Sequence, residues 1–252
     1  GAGADAPSPV FPVIGAILNA VGILLGAGLG LAWRGALNVR TEAFCKSALA
    51  AFTAFFGLRL VWLSLSGSLL AETKQVLIIL LAGVLGGVLG RGLRLQSLSN
   101  RLGRRAVGWL SAAQKNPPGR AQDGILAATI LFCAAPLGVI GSVADGLSGY
   151  FPLLAVKALM DGLATAGFVR LFRWPVALAA GPVWLFLTLL TLLVHNHVLP
   201  FLEAHGLADS VSGAAGLLAC LVTLVILGAR RVELAGYLPA LAVAPALATL
   251  LP

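Results

Sequence analysis

Residues 131–168 read LFCAAPLGVIGSVADGLSGYFPLLAVKALMDGLATAGF, a run whose charged side chains are Asp145, Lys157 and Asp161. An apolar stretch of about 17–25 residues crosses the hydrocarbon of a bilayer as a helix, and this run reads as the end of one span and the whole of the next. The rest of the chain is of the same kind. Of its 252 residues, 59% are hydrophobic and 10% charged, against about 25% charged in a soluble domain. A water-soluble fold of this size lacks the core to hide so much apolar side chain, and a disordered chain is apolar-poor and charge-rich. The expected class is an all-α polytopic membrane helix bundle.

Eight apolar stretches are long enough or nearly so: 11–33, 47–70, 75–93, 124–143, 153–171, 175–198, 212–229 and 236–251. Pro239 and Pro245 interrupt the last, so seven spans is the alternative. Basic residues test the map. Arg34, Arg40 and Lys46 fall in the first loop, and the third holds Arg91, Arg94, Arg101, Arg104, Arg105, Lys115 and Arg120. Arg170 and Arg173 follow the fifth span, and Arg230 and Arg231 the seventh. The even-numbered loops hold Lys74 beside Glu72, Asp145, Glu203 and Asp209. Positive loops face the cytoplasm, so the N-terminus is expected outside a bacterial cytoplasmic membrane. Residues 1–10 lack the basic start of a signal peptide and read as a tail or expression scar. Four parts are expected: that tail, a three-helix membrane unit at 11–93, a cytoplasmic segment at 94–121, and a second membrane unit at 122–252.

The third loop is itself patterned. Leu95, Leu98, Leu102, Ala106 and Trp109 recur at three- and four-residue spacing, while Arg94, Arg101, Arg104 and Arg105 fill most of the remaining surface. This is an amphipathic helix in the membrane interface, with its arginines and Trp109 over anionic lipid headgroups. Lys115-Asn116-Pro117-Pro118-Gly119 then ends it. Nucleic acid is not the expected partner.

Glycines mark where helices approach. Gly22, Gly26 and Gly30 share one face of the first span, and the third carries the pairs Gly83/Gly87 and Gly86/Gly90. Missing side chains let backbones touch, which favours helix association in lipid. Packing within the chain is the plain reading, and a homo-oligomer contact or a glycine-lined path is the other.

Ionisable groups inside spans are costly and mark candidate sites. Lys157 and Asp161 lie four apart on one helix face and can pair. Asp145 closes the fourth span, Arg59 lies within the second, and Asn19 within the first. Asp145-Gly146 and Asp161-Gly162, with Pro136 and Pro152 nearby, point to interrupted helices. Such breaks at membrane depth occur where backbone lines a cavity or is buried in protein, and solute sites in secondary transporters use them. Asp145, Asp161, Lys157, Asn19 and Arg59 are therefore the expected substrate- or ion-binding residues. A purely structural Lys157–Asp161 bridge is the competing reading.

Other chemistry finds little support. His195, His197 and His205 read as solvated loop residues, with pH sensing as the alternative. Cys45, Cys133 and Cys220 form no paired motif. Neither a nucleophile elbow nor a phosphate-binding glycine loop occurs, so no enzyme activity, metal or cofactor is expected. An internal repeat is suggested by Lys46 and Arg59, which are spaced as Lys157 and Arg170 are. A three-span unit would repeat inverted. The rival pairing sets the first three spans against the last three.

The 131–168 run resembles the signature of a bacterial family of multi-pass membrane proteins, the YqgA-like domain of unknown function 554. Phe132, Cys133, Gly141, Asp145, Gly146, Lys157, Asp161 and Gly162 match its Phe-Cys, Gly-x-x-x-Asp-Gly and Lys-x-x-x-Asp-Gly elements. Residues 14–31, with Asn19, are similar to its first span, and 226–245 to its closing Leu-Pro-Ala-Leu element. The chain departs from the pattern at Ala158, at Ala134-Ala135 and at Arg91, where relatives carry Ser, a glycine-containing pair and Glu. The resemblance implies inner-membrane transport proteins of unassigned substrate. The leading expectation is a secondary transporter or exporter of a small solute or ion. An oligomeric ion channel and a non-transporting scaffold that binds anionic lipid are the alternatives.

Overall fold

Glycine and alanine line the interior of this bundle, and leucine covers its outside. On the first helix Gly15, Ala16, Asn19, Ile23, Gly26, Ala27 and Gly30 are buried, while Leu24, Leu25 and Leu29 are more than half exposed. In water that distribution would be an aggregation surface. In lipid the apolar outside costs nothing, and close backbone packing holds the inside together.

A computed structural model describes residues 13–32, 35, 38–115, 119–229 and 232–251. Its helices are α1 (Ile14–Ala32), α2 (Val39–Leu63), α3 (Leu69–Gly92), α4 (Leu95–Lys115), α5 (Ala121–Ala134) and α6 (Pro136–Ser148). They continue with α7 (Pro152–Phe172), α8 (Ala180–Leu193), α9 (Leu199–Ala204), α10 (Ala208–Ile226) and α11 (Ala240–Leu250). A 3-10 turn, Trp174–Ala179, leads into α8, and a π turn, Val194–Val198, joins α8 to α9. A second 3-10 turn, Leu234–Tyr237, precedes α11. The described residues contain no strand. The tail at 1–10, Arg34, the Asn116-Pro117-Pro118 part of the linker, and Arg230-Arg231 lie outside the described residues.

Six segments are long and apolar enough to cross a membrane: α1, α2, α3, α7, the continuous stretch Trp174–Ala204, and α10. The span expected at 124–143 is instead two helices, α5 and α6, bent by 57°. Pro136 explains the break, because it offers no N–H to continue α5 and forces Ala135 out of helical geometry, to φ −67°, ψ 121°. Gly149 ends α6 in the left-handed conformation at φ 67°, with its N–H bonded back to the Asp145 carbonyl at 2.8 Å.

The span expected at 236–251 falls short of the others, yet it follows α3 closely. Gly90 lies against Gly236, and Gly86 against Ala240. Toward the opposite end of α3, Ala71 and Gln75 share a cavity wall with Ala248. The segment Leu234–Leu250 thus runs antiparallel to α3. Its 3-10 start rises about 2.0 Å per residue rather than about 1.5 Å, which extends its reach.

The two membrane units expected from the sequence interleave. α1 packs on α7 and α8, α2 on α10, and α3 on α11. The main core joins Ala16 and Ile23 of α1 to Phe132 of α5, Leu154 and Phe172 of α7, and Val183 and Leu187 of α8. α6 contributes to a second cluster with Leu60, Leu218 and Ala219, and through Leu147 to a smaller one with Val194 and Leu202.

The glycines make these contacts within the chain. A Cβ on Gly22 would sit 2.5 Å from the Ala158 carbonyl oxygen, and one on Gly86 2.6 Å from Ala240 Cα. Gly26 faces Gly162, Gly30 faces Ala166, Gly87 faces Tyr237 and Gly83 faces Leu217. The faces that would have formed an oligomer seam are thus covered by the chain's own helices.

α4 packs on α5 and buries Ala106 and Ala113, while Arg94, Arg101, Arg104 and Arg105 are exposed and Trp109 is half-buried. Leu98, expected on the inward face, is 57% exposed. The buried stripe is centred on Ala106 and Ala113, about 60–80° around the helix from Leu98.

Candidate functional site at the broken span

The break at Ala135 opens toward α7. A Cβ on Gly138 would sit 2.9 Å from Lys157 Cε, so the glycine leaves room for the lysine stem against α6. Lys157 is 1% exposed, and its ammonium lies 5.8 Å from the Phe132 ring centre. Phe132 belongs to the last turn of α5, where unpaired carbonyls and the negative end of the helix dipole favour a cation.

A buried ammonium needs a partner. Lys157 Nζ donates to Asp161 Oδ2, and Asn19 Nδ2 donates to the same oxygen at 2.9 Å. Thr165 Oγ1 donates to the Asp161 backbone carbonyl at 2.7 Å. α1 thus reaches the pair through one side chain. Asn19 can do so because the glycines below it bring α1 against α7.

Asp145 stands apart from that pair. Its Oδ2 accepts from the Gly15 N–H at 3.3 Å, one helical turn before Asn19, and its Oδ1 is buried without a hydrogen-bond partner. The Asn19 Oδ1, Ser142 Oγ and Thr191 Oγ1 atoms are likewise buried and unpartnered. Next to Asp145, Gly146 lies against Val194 and the Thr191 carbonyl, and its own carbonyl oxygen is 3.2 Å from His195 Nδ1.

Four of the five expected binding residues are therefore brought to the interface of α1, α6 and α7: Asn19, Asp145, Lys157 and Asp161. Arg59 is not. It is exposed on α2, four residues before the helix ends at Leu63, so about 6 Å of helix separates it from that end and its long side chain can reach toward the membrane surface. The lysines that suggested a repeat differ too. Lys46 pairs with Glu42 at 2.7 Å in the open, whereas Lys157 is interior. His197 and His205 are exposed, but His195 is half-buried in the π turn. Such turns inside helices are frequent at functional sites. Gly15, Thr191 and His195 join the site only through tertiary contacts, whereas Thr165 reaches Asp161 along α7 itself and Ser142 shares α6 with Asp145. The spacings of Ser142 and Asp145, three apart on α6, and of Asp161 and Thr165, four apart on α7, were the local signals for any of them.

The described residues contain no group of three His, Cys, Asp or Glu placed to hold a metal. The cysteines are free.

Comparison with known proteins finds relatives in two bacteria. The chain is 21% identical to the uncharacterized membrane protein YdfK of Bacillus subtilis over 240 residues, covering 92% of this chain and 94% of YdfK. It is 26% identical to the uncharacterized protein YqgA of Escherichia coli over 233 residues, again covering 92% and 94%. No solved structure matches. The family model described as protein of unknown function (DUF554) matches residues 14–249, which take in every helix named above but for the last residue of α11, and the chain belongs to that family.

Proposed function

We propose that this protein is a secondary transporter or exporter of a small solute or ion in the bacterial cytoplasmic membrane. The observation that carries the proposal is the Lys157–Asp161–Asn19 cluster, buried where α5 and α6 break. Stability alone is a weak reason to keep it, since a well-packed apolar substitute for a buried ion pair is often as stable or more so. An interrupted helix beside intramembrane carboxylates is the arrangement from which transporters build solute sites. Asp145 and Asp161 supply negative charge and Lys157 positive charge, so the site suits a cation- or proton-coupled carrier. In this reading the arginine-rich end of the bundle faces the cytoplasm, the N-terminus lies outside, and α4 rests its arginines on anionic headgroups.

Solute flux in proteoliposomes tests the proposal, comparing wild type with Asp161→Asn across a pH gradient. Flux in the wild type and its loss in a folded variant support it. Absence of flux for any ion or metabolite from correctly folded protein would falsify it. The channel reading has lost its main support, because the glycine faces meet partners inside the chain.

A further inference from the structure

The two buried aspartates are not equivalent. Asp161 has Lys157 and Asn19 on one oxygen. Asp145, 1% exposed, has the Gly15 N–H on one oxygen and nothing on the other. The charged and titratable groups around it are already engaged. Lys157 is committed to Asp161, and His195 Nδ1 to the Gly146 carbonyl. A carboxylate buried without a counter-charge costs several kcal/mol, a cost that either a proton or a positive ligand removes.

The neighbouring unpartnered atoms say of what kind. Ser142 Oγ lies one turn from Asp145 on α6, and Asn19 lies one turn from Gly15 on α1. Asn19 turns its amide nitrogen to Asp161 and keeps Oδ1 unpaired. Thr191 Oγ1, buried and unpartnered, belongs to the residue whose carbonyl abuts Gly146. All four atoms are oxygens. Hard oxygen donors select alkali and alkaline-earth ions over zinc or copper, and a single carboxylate balances a single positive charge. Ser142 and Asn19 are completely buried, so an ion held between them has shed its hydration shell.

We infer that Asp145 Oδ1, Asn19 Oδ1 and Ser142 Oγ form a binding site for one dehydrated monovalent cation of lithium or sodium size. Thr191 Oγ1 borders the site, while Lys157 holds Asp161 as a fixed second-neighbour charge. This deepens the transporter reading, naming its coupling or transported ion, and rests on it for physiological meaning.

The test is direct binding of radioactive sodium to the purified full chain in lipid nanodiscs, in choline buffer, paired with sodium-dependent shifts in thermal melting. Wild type is expected to bind saturably at one ion per chain and to melt at higher temperature in sodium than in choline. Asp145→Asn should weaken binding at least tenfold, and Ser142→Ala about threefold or more. Ser142→Ala removes an oxygen without adding bulk, so it decides the matter if Asp145→Asn fails to fold. No saturable binding by wild type, or binding by Ser142→Ala equal to wild type, overturns the site. Binding without flux in proteoliposomes would leave the site standing and remove the transporter. Flux that needs no sodium or lithium, with no binding, would do the reverse.

Discussion

Gly26 of α1 lies against the backbone of Gly162, the residue that follows Asp161 on α7. The same Asp-Gly pair therefore supplies the site's charge and the space that lets α1 approach it. Asn19 reaches Asp161 at 2.9 Å because two helix turns further along no side chain holds the backbones apart. Gly26→Leu should destabilise the protein by about 3 kcal/mol, the upper range for overpacking. Gly28→Leu, with nothing within 4 Å of the added carbon, should change stability by less than about 0.5 kcal/mol. Thermal melts of the two variants side by side check the contrast, and equal effects would count against the α1–α7 contact.

The Lys157–Asp161 pair allows a double-mutant cycle. Either Lys157→Met or Asp161→Leu leaves one buried charge alone and should cost about 3–5 kcal/mol, whereas the double variant should regain most of that loss. A transport function predicts that the stable double variant is nonetheless inactive in flux. Full activity in the double variant would reduce the pair to a structural bridge.

Asn19→Leu removes the hydrogen bond to Asp161 while keeping a similar volume. A hydrogen bond to a charged group is worth about 1.5–3 kcal/mol, which sets the expected loss in a denaturation series. In an Asp161→Leu background the same change should cost far less, since the acceptor is gone.

Arg59→Gln is predicted to leave both melting temperature and transport rate unchanged, with stability altered by less than about 0.5 kcal/mol. Arg59 is exposed on α2 and takes no part in the buried cluster. A large fall in transport rate with unchanged folding would return it to the site.

Arg173 ends α7 at φ 63°, ψ −166°, and its side chain is exposed. Residues other than glycine pay about 1–3 kcal/mol in this region of backbone space. Arg173→Gly should therefore raise stability by about 1 kcal/mol, read as a higher melting temperature; a decrease would show that the arginine side chain contributes more than its backbone costs.

Membrane class and most of the spans were legible in the residues, because hydrocarbon length and the cost of intramembrane charge act on short windows of chain. Lys157 and Asp161 could be paired from spacing alone, since four residues bring side chains onto one helix face. Pro136 signalled the interruption, which the 57° bend places at Ala135, but the Asp-Gly pairs did not: α6 runs through Asp145-Gly146 to Ser148, and α7 is unbroken through Asp161-Gly162. The conformational preference of a proline is local, while the direction taken after it is set by what the next helix packs against. Contacts across 142 residues, from Asn19 to Asp161, and across 130, from Gly15 to Asp145, had no such local cause. Many apolar faces could have met in lipid. The choice of α1 against α7, and with it the difference between a neutralised Asp161 and an unpaired Asp145, came from which small-residue surfaces fit when the whole bundle packed.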